Sequence, residues 1–234
     1  MTTPSRLSLE TRDVGRVTVV QCNGRIVAGE SETLRSHVSW LLRDRRAIVL
    51  DLANVGFIDS SGLGAMVRSL TSTRQARGDL KLCNVPEHVQ KVLELSHLTK
   101  LFDTRSSEED AVSAFYQSKS RDEAPVSTGS NVLCVGCNSD VLAYLRELLR
   151  RASYDVQATS QLHDAMILMR ITTFDLVLAG PDVNAPPDTY QAFQNACAKI
   201  PMIQLGCDFS TTDAGEAGTA LLAKIAALLP IHSA

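Results

Sequence analysis

A buried strand that runs into a glycine-rich helix start constrains this chain more than any other stretch. Residues 47–52 read Ala-Ile-Val-Leu-Asp-Leu, an apolar run typical of a strand, and residues 53–58 form a short link. Residues 59–64 read Asp-Ser-Ser-Gly-Leu-Gly and open the next element. The spacing i, i+3, i+4, i+7 predicts a helix from there, with these apolar positions: Leu63, Met66, Val67 and Leu70.

The start of that helix has three chemical properties. A hydroxyl group at Ser60 or Ser61 can cap the unpaired backbone N–H groups of the first turn. The same helix end carries partial positive charge, which suits a phosphate group. Gly62 and Gly64 leave the backbone bare, so another protein could approach closely.

Residues 51–64, Asp-Leu-Ala-Asn-Val-Gly-Phe-Ile-Asp-Ser-Ser-Gly-Leu-Gly, resemble the signature of the anti-sigma factor antagonist family, the STAS domain. The resemblance extends over roughly residues 5–117 and implies a mixed sheet with helices. In phosphorylatable members the first Ser after the Asp receives phosphate from a partner anti-sigma factor kinase, and that position is Ser60 here. The resemblance therefore implies a partner switch, in which unmodified Ser60 permits binding and phosphoserine releases the partner, with a phosphatase as an optional further partner.

The contact surface expected from this resemblance surrounds the helix start and the neighbouring loop. Family members often carry Gly-Glu-Leu-Asp after the second strand, with the Asp near the phosphorylated Ser. This chain reads Gly-Arg-Ile-Val at residues 24–27, so Val27 replaces that acid and Arg25 adds a cation. An alternative is that Ser60 or Ser61 only caps the helix; both roles can hold if Ser61 caps and Ser60 faces outward. The expected surface is Asp59, Ser60, Ser61, Gly62, Leu63, Gly64, Arg25 and Val27.

The second half of the chain alternates strands and helices, which predicts a parallel sheet covered on both faces. A polar segment at residues 118–130 reads as a linker between a first domain at 1–117 and a second at 131–234. The order of elements and the phrase Phe-Asp-Leu-Val-Leu-Ala-Gly-Pro at 174–181 resemble the receiver domain of response regulators, a flavodoxin-like α/β fold, over about 131–229.

The residues that receivers use for phosphorylation are missing at the matching positions of this chain. Gly180 stands where receivers carry the phosphoacceptor Asp, and Gly136 with Cys137 stand where they carry the acidic metal-binding pair. Gly206 replaces the Ser or Thr after the fourth strand. Asp182 is the only acidic residue close to Gly180. We expect a degenerate receiver-like domain that works by contact, because an aspartyl phosphate needs a carboxylate nucleophile and carboxylate-held Mg²⁺.

Composition excludes several other classes of function. The chain has 234 residues and a net charge of −3, without the basic cluster that nucleic-acid binding requires. No apolar run approaches the roughly 20 residues of a membrane helix, and the N-terminus lacks a signal-peptide pattern, so the expected location is the cytoplasm.

Cys134 and Cys137 form a C-x-x-C that could be a redox pair or half a zinc site. Two reduced, packed thiols are the favoured interpretation, and no cofactor or metal is expected.

The resulting hypothesis is a non-enzymatic bacterial signalling regulator, in which Ser60 is a substrate for a partner anti-sigma factor/serine kinase. The alternative is a scaffold protein whose Ser60 is never phosphorylated, and Val27 together with the lost receiver chemistry favours it somewhat.

Trp40 falls opposite the apolar face of its helix. It is either an exposed partner anchor or, as we favour somewhat, packed against a loop or the second domain.

Overall fold

The computed structural model describes residues 6–122, 129–181, 186–206 and 214–229. Its contacts divide the chain into two compact units, Met1–Glu123 and Ala124–Ala234, each of which is described by itself. Among the described helices, none combines the length and the apolar character that crossing a membrane requires.

The first unit is a mixed five-stranded sheet with the strand order β1-β2-β3-β4-β5 over its described residues. The first two strands form an antiparallel hairpin around a turn at Gly15, where φ is 63°, and every later pair is parallel. The elements are β1 (Ser8–Val14), β2 (Val17–Ile26), α1 (Ser31–Leu41), β3 (Ala47–Ile58), α2 (Ser60–Gln75), β4 (Asp79–Cys83), α3 (Glu87–Leu95), β5 (Asp103–Arg105) and α4 (Glu108–Asp122).

The apolar core of the first unit lies between the sheet and helices α1, α2 and α3, while α4 packs against β3, β4 and β5. Leu50 and Leu52 on β3 and Met66 and Leu70 on α2 are almost fully buried, which confirms the helical spacing read from the sequence. Burial of such side chains stabilises the fold by about 1.5–3 kcal/mol each. This packing fixes where α2 begins relative to the sheet.

Strand β3 is longer than the sequence predicted. Residues 53–58, expected to be a link, continue the strand to Ile58, and β2 likewise continues to Ile26. The two extensions pair with each other, from Asn23 opposite Asn54 to Ile26 opposite Ile58, with two irregularities in register. The polar residues and glycines of these segments hid the strand pattern, because the stabilising partner is distant in sequence.

The last helix of the first unit also departs from the prediction. The first domain was expected to end at residue 117, but α4 continues to Asp122 and so enters the segment assigned to the linker, residues 118–130. Polar and charged residues cost little in a helix, so composition alone did not mark its end. Residues 123–128 of the predicted linker lie outside the described residues.

The second unit contains a parallel sheet with the strand order β7-β6-β8-β9 over its described residues, which confirms the predicted parallel α/β layering. This order corresponds to the first four strands of the flavodoxin-like arrangement. The elements are β6 (Asn131–Val135), α5 (Ser139–Arg151), β7 (Asp155–Thr159), α6 (Leu162–Ile171), β8 (Leu176–Ala179), α7 (Pro187–Ala196), β9 (Met202–Gln204) and α8 (Ala214–Leu228).

Candidate functional site

Helix α2 is capped by a carboxylate and not by a hydroxyl. Asp59 has the extended backbone of an N-cap residue (φ −108°, ψ −178°), and its Oδ1 accepts a hydrogen bond from the backbone N–H of Gly62 at 2.8 Å. The prediction that Ser60 or Ser61 provides the cap is therefore wrong. Asp is as good a cap as Ser, and it stands one residue earlier, where the chain leaves β3.

The second carboxylate oxygen of Asp59 ties the loop after β2 to the helix. It accepts a hydrogen bond from the backbone N–H of Ala28 at 3.1 Å. The hydrogen bond from Gly62, with further backbone hydrogen bonds and the charge of Arg25, holds the pKa of Asp59 below its usual range. Since two backbone amides already hold this carboxylate, it fixes the loop and the helix start as one rigid surface.

The loop itself is a tight turn that leads into α1. The backbone N–H groups of Glu30 and Ser31 both donate to the carbonyl of Val27 at 2.8 Å, and the Ser31 hydroxyl donates to the carbonyl of Ala28 at 3.1 Å. Glu30 accepts a hydrogen bond from Arg6 at 3.1 Å. Val27 is half-buried in this turn, and the next residue, Ala28, is hydrogen-bonded to Asp59.

Gly62 and Leu63 lie inside the protein. A β-carbon on Gly62 would overlap the carbonyl oxygen of Ile26 at the end of β2, and Leu63 is only 7% exposed within the apolar core. The bare backbone of Gly62 is thus used by the protein's own strand, so its predicted use for a partner's approach is wrong. Gly64 remains half-exposed, and a β-carbon placed on it would lie 3.2 Å from the Arg68 guanidinium.

Ser60 is the exposed residue of this helix start. Its side chain is open to solvent at the first position of α2, while Ser61 is half-buried. Because Asp59 performs the capping, the Ser60 hydroxyl is not required for it. The structure brings together at the surface Ser60, Ser61, Gly64, Val27 and Arg25, with Asp59 between them.

Two residues at the ends of β2 and β3 add a feature that the sequence reasoning missed. Arg25 and Phe57 are register partners, and the Arg25 guanidinium lies over the Phe57 ring, 5.2 Å from its centroid. Phe57 is 46% exposed. Had residues 53–58 been read as strand, alternation would have placed Phe57 on the face opposite Ile58 and marked it as a surface aromatic.

The strand end that a receiver would use for phosphate is closed in the second unit. A β-carbon on Gly180 would overlap the Gly136 carbonyl oxygen and the Cys137 Sγ, so these three positions are packed against each other. Gly206 is exposed, and Asp182 lies outside the described residues. In the part of the chain that the structure describes, no three His, Cys, Asp or Glu residues are grouped as metal ligands.

The remaining candidates are simpler. Cys134 and Cys137 are both buried, and burial raises the pKa of Cys134, as the packed-thiol interpretation predicts. Trp40 is 54% exposed, with the His37 ring as its described aromatic neighbour at 6.4 Å. The exposed alternative for Trp40 therefore describes its place in the first unit better than the favoured packed one.

Comparisons with known proteins identify the domain family that the first unit matches. The family model described as STAS domain matches residues 8–111, so the N-terminal region is a STAS domain. BtrV of Bordetella bronchiseptica, provisionally named an anti-sigma factor antagonist, is 36% identical over 73 residues, which are 31% of this chain and 63% of that protein. The anti-sigma F factor antagonist of Paenibacillus polymyxa is 29% identical over 108 residues, covering 45% of this chain and 92% of that protein.

Two solved structures of anti-sigma factor antagonists match about half of this chain. An anti-sigma factor antagonist from Mycobacterium paratuberculosis is 23% identical with a TM-score of 0.45, covering 49% of this chain and 97% of that one. Unphosphorylated SpoIIAA, also an anti-sigma factor antagonist, is 22% identical with a TM-score of 0.42, covering 47% of this chain and 97% of that one.

Proposed function

We propose that this chain is a partner-switching regulator that binds an anti-sigma factor with serine kinase activity and is released when that kinase phosphorylates Ser60. The observation that carries the proposal is the exposed Ser60 hydroxyl at the start of α2, beside a carboxylate that already performs the capping. The match of this region to antagonists from two bacteria supports it. A cytoplasmic, non-enzymatic protein without a cofactor is part of the same proposal.

Phosphorylation changes this surface in a simple way. The γ-phosphoryl group of the kinase's nucleoside triphosphate moves to the Ser60 oxygen, the hydroxyl proton is lost and a nucleoside diphosphate leaves. The product carries about −1.5 to −2 charges at pH 7, directly after the carboxylate of Asp59. A partner surface that fits a neutral hydroxyl then meets charge and bulk, which favours release. A phosphatase would restore binding.

The proposed contact surface keeps the predicted residues but divides their roles. Ser60, Ser61, Gly64, Val27 and Arg25 lie where a partner could touch them. Asp59, Gly62 and Leu63 support that surface from within, through the cap, the close packing on Ile26 and the core.

For the second unit we infer a degenerate receiver-like domain that acts by contact alone. Its strand order and the packing of Gly180 against Gly136 and Cys137 support this inference. Those same features, with Val27 in place of an acid, also favour the second candidate function, a scaffold protein in which Ser60 is never modified.

Mass spectrometry of the chain isolated from its own cells separates the two candidates, because only the switch requires phosphoserine at position 60. Once a partner is identified, we expect Ser60→Asp to weaken binding at least about tenfold, equivalent to about 1.4 kcal/mol. Ser60→Ala is expected to bind under all conditions, and Ser39→Ala, at an exposed serine of α1 outside the proposed contact surface, is the matched control. If both Ser60 variants bind as the wild type does, the switch is wrong.

A further inference from the structure

In the cation–aromatic pair of Arg25 and Phe57, the Arg25 Nε is a hydrogen-bond donor without an acceptor among the described residues. This Nε is shielded from solvent. The guanidinium is held over a ring that is itself 46% exposed. At exposed sites such an interaction is weak. An anion within reach would therefore compete successfully with the ring for this cation.

No described hydrogen bond or ion pair joins Arg25 to a carboxylate of the helix start or its loop. Asp59 accepts hydrogen bonds from the backbone N–H groups of Gly62 and Ala28. Glu30 pairs through Oε1 with Arg6 at 3.1 Å, and its buried Oε2 has no described hydrogen-bond partner. Arg25 lowers the pKa of Asp59 through its charge, but no hydrogen bond joins the two side chains among the described contacts. The guanidinium thus lies within electrostatic range of Asp59, and its Nε has no described acceptor.

The strand register brings the backbone around Arg25 next to the segment that leads into Ser60. Ile26, the residue after Arg25, pairs with Ile58, and its carbonyl accepts a hydrogen bond from the backbone N–H of Asp59 at 3.3 Å. Ser60 follows Asp59 directly. A phosphate on the exposed Ser60 oxygen would therefore stand one residue beyond a carboxylate that already lies in the field of Arg25.

We propose that Arg25 is the intramolecular counter-ion of phosphoserine at position 60, and that it leaves the ring of Phe57 to pair with the phosphate. The inference rests on the proposed phosphorylation of Ser60 and names what the phosphate does to this chain's surface. Arginine and phosphate form a paired, charge-assisted hydrogen bond that is stronger than a half-exposed cation–π contact. The modified surface then differs in two ways, because a phosphate is added and the ring of Phe57 is uncovered.

The test uses the full chain with phosphoserine incorporated genetically at position 60, so no kinase is needed. Phosphorus NMR over pH measures the second pKa of the phosphate, which is about 6 without a partner. We expect this pKa to be lower, by roughly half a unit or more, in the parent protein than in Arg25→Ala and Arg25→Gln, because a nearby cation favours the dianion. Phe57→Leu should lower it further, since the ring no longer competes for the guanidinium.

Arg74 provides the matched control, because it is a cation in the last turn of the same helix, about 20 Å along the axis from Ser60. Arg74→Ala should leave the phosphate pKa unchanged, whereas Arg68, whose guanidinium lies near Gly64, is the competing cation. Proton NMR should also show the Arg25 side-chain resonances losing the ring-current shift of Phe57 when position 60 is phosphorylated. An equal phosphate pKa with and without Arg25, or a rise in Arg68→Ala alone, overturns the proposal.

The two proposals fail separately. If phosphoserine is never found at position 60 in cells, the proposed switch fails while the NMR measurement still gives its answer on Arg25. If the phosphate pKa is insensitive to Arg25, the counter-ion proposal fails while phosphorylation and partner release stand.

Discussion

The end of β3 in the first unit and the end of β8 in the second are similar positions with opposite surroundings. In the first unit, β3 ends at Ile58 and the chain turns into α2, where Ser60 is exposed beside donors at a helix start. In the second unit, β8 ends at Ala179, and Gly180 is packed closely against Gly136 and Cys137. A phosphate requires an acceptor side chain and space. The first strand end provides both, whereas Gly180 provides no side chain and its surroundings leave no space for one.

The largest effect should come from forcing a phosphoacceptor into the closed strand end. We expect Gly180→Asp to destabilise the second unit by about 3 kcal/mol or more, because its β-carbon would overlap the Gly136 carbonyl and its carboxylate would be buried. Denaturant unfolding measures the loss. Gly206→Asp is the control, since Gly206 is exposed and should tolerate the charge. A Gly180→Asp protein as stable as the wild type would show that this strand end is open after all.

The next largest effect separates the two glycines of the first unit's helix start. Gly62→Ala should lower the free energy of unfolding by about 2–3 kcal/mol, because the methyl group would overlap the Ile26 carbonyl. Gly64→Ala meets only the end of the Arg68 side chain at 3.2 Å, and alanine favours the helix, so we expect no loss or a gain of up to about 1 kcal/mol. Equal effects in thermal or denaturant unfolding would contradict the assignment of Gly62 to internal packing.

The sequence predicted well wherever the signal is local. The apolar spacing on α2 depends on residues within two turns, so Met66 and Leu70 were correctly expected to be buried. The extension of β3 could not be read in the same way, because Asn54 and Gly56 are poor strand formers. The segment is held as a strand by the pairing of residues on either side of Gly56 with β2. Phe57 was missed for this reason, since its exposed position follows only from that pairing.

The details of the helix start depended on competition between neighbours. Asp59, Ser60 and Ser61 are all good N-cap residues, and the sequence offers no criterion for choosing among them. The choice is made by the chain's path out of β3, where the N–H of Asp59 binds Ile26 and its carboxylate reaches both Gly62 and Ala28. Gly62 was likewise ambiguous, because a glycine needed for internal contact and one left open to a partner look the same in a sequence.

A smaller effect is expected from removing the carboxylate that connects the loop to the helix. Asp59→Ala should cost about 1–2 kcal/mol of stability, the range for loss of an N-cap, because the N–H groups of Gly62 and Ala28 both lose their acceptor. Ser61→Ala is the control and should change stability by less. If the two variants lose the same amount, Asp59 is not the functional cap.

The difference in unfolding free energy between the wild type and Asp59→Ala should depend on pH in a defined direction. The pKa of Asp59 is lowered in the folded protein, chiefly by the hydrogen bond from Gly62. Its contribution is therefore complete above the unfolded pKa of about 4 and is lost as the pH falls through the folded value. The difference in unfolding free energy between wild type and Asp59→Ala should be constant near neutral pH and shrink below about pH 4. A difference that grows on acidification would contradict this account.

The smallest effect, in fact none, is expected from a phosphoryl donor acting on the second unit. Incubation of the full chain with acetyl phosphate and Mg²⁺ should leave every aspartate of residues 131–234 unmodified, because Gly180 has no side chain and Gly136 and Cys137 cannot hold Mg²⁺ through carboxylates. Intact-mass and peptide mapping before and after hydroxylamine treatment give the answer, and an authentic receiver treated in parallel confirms that the donor is active. A hydroxylamine-sensitive phosphate at Asp182 would break the contrast between the two units, because the second would then carry an aspartyl phosphate of its own.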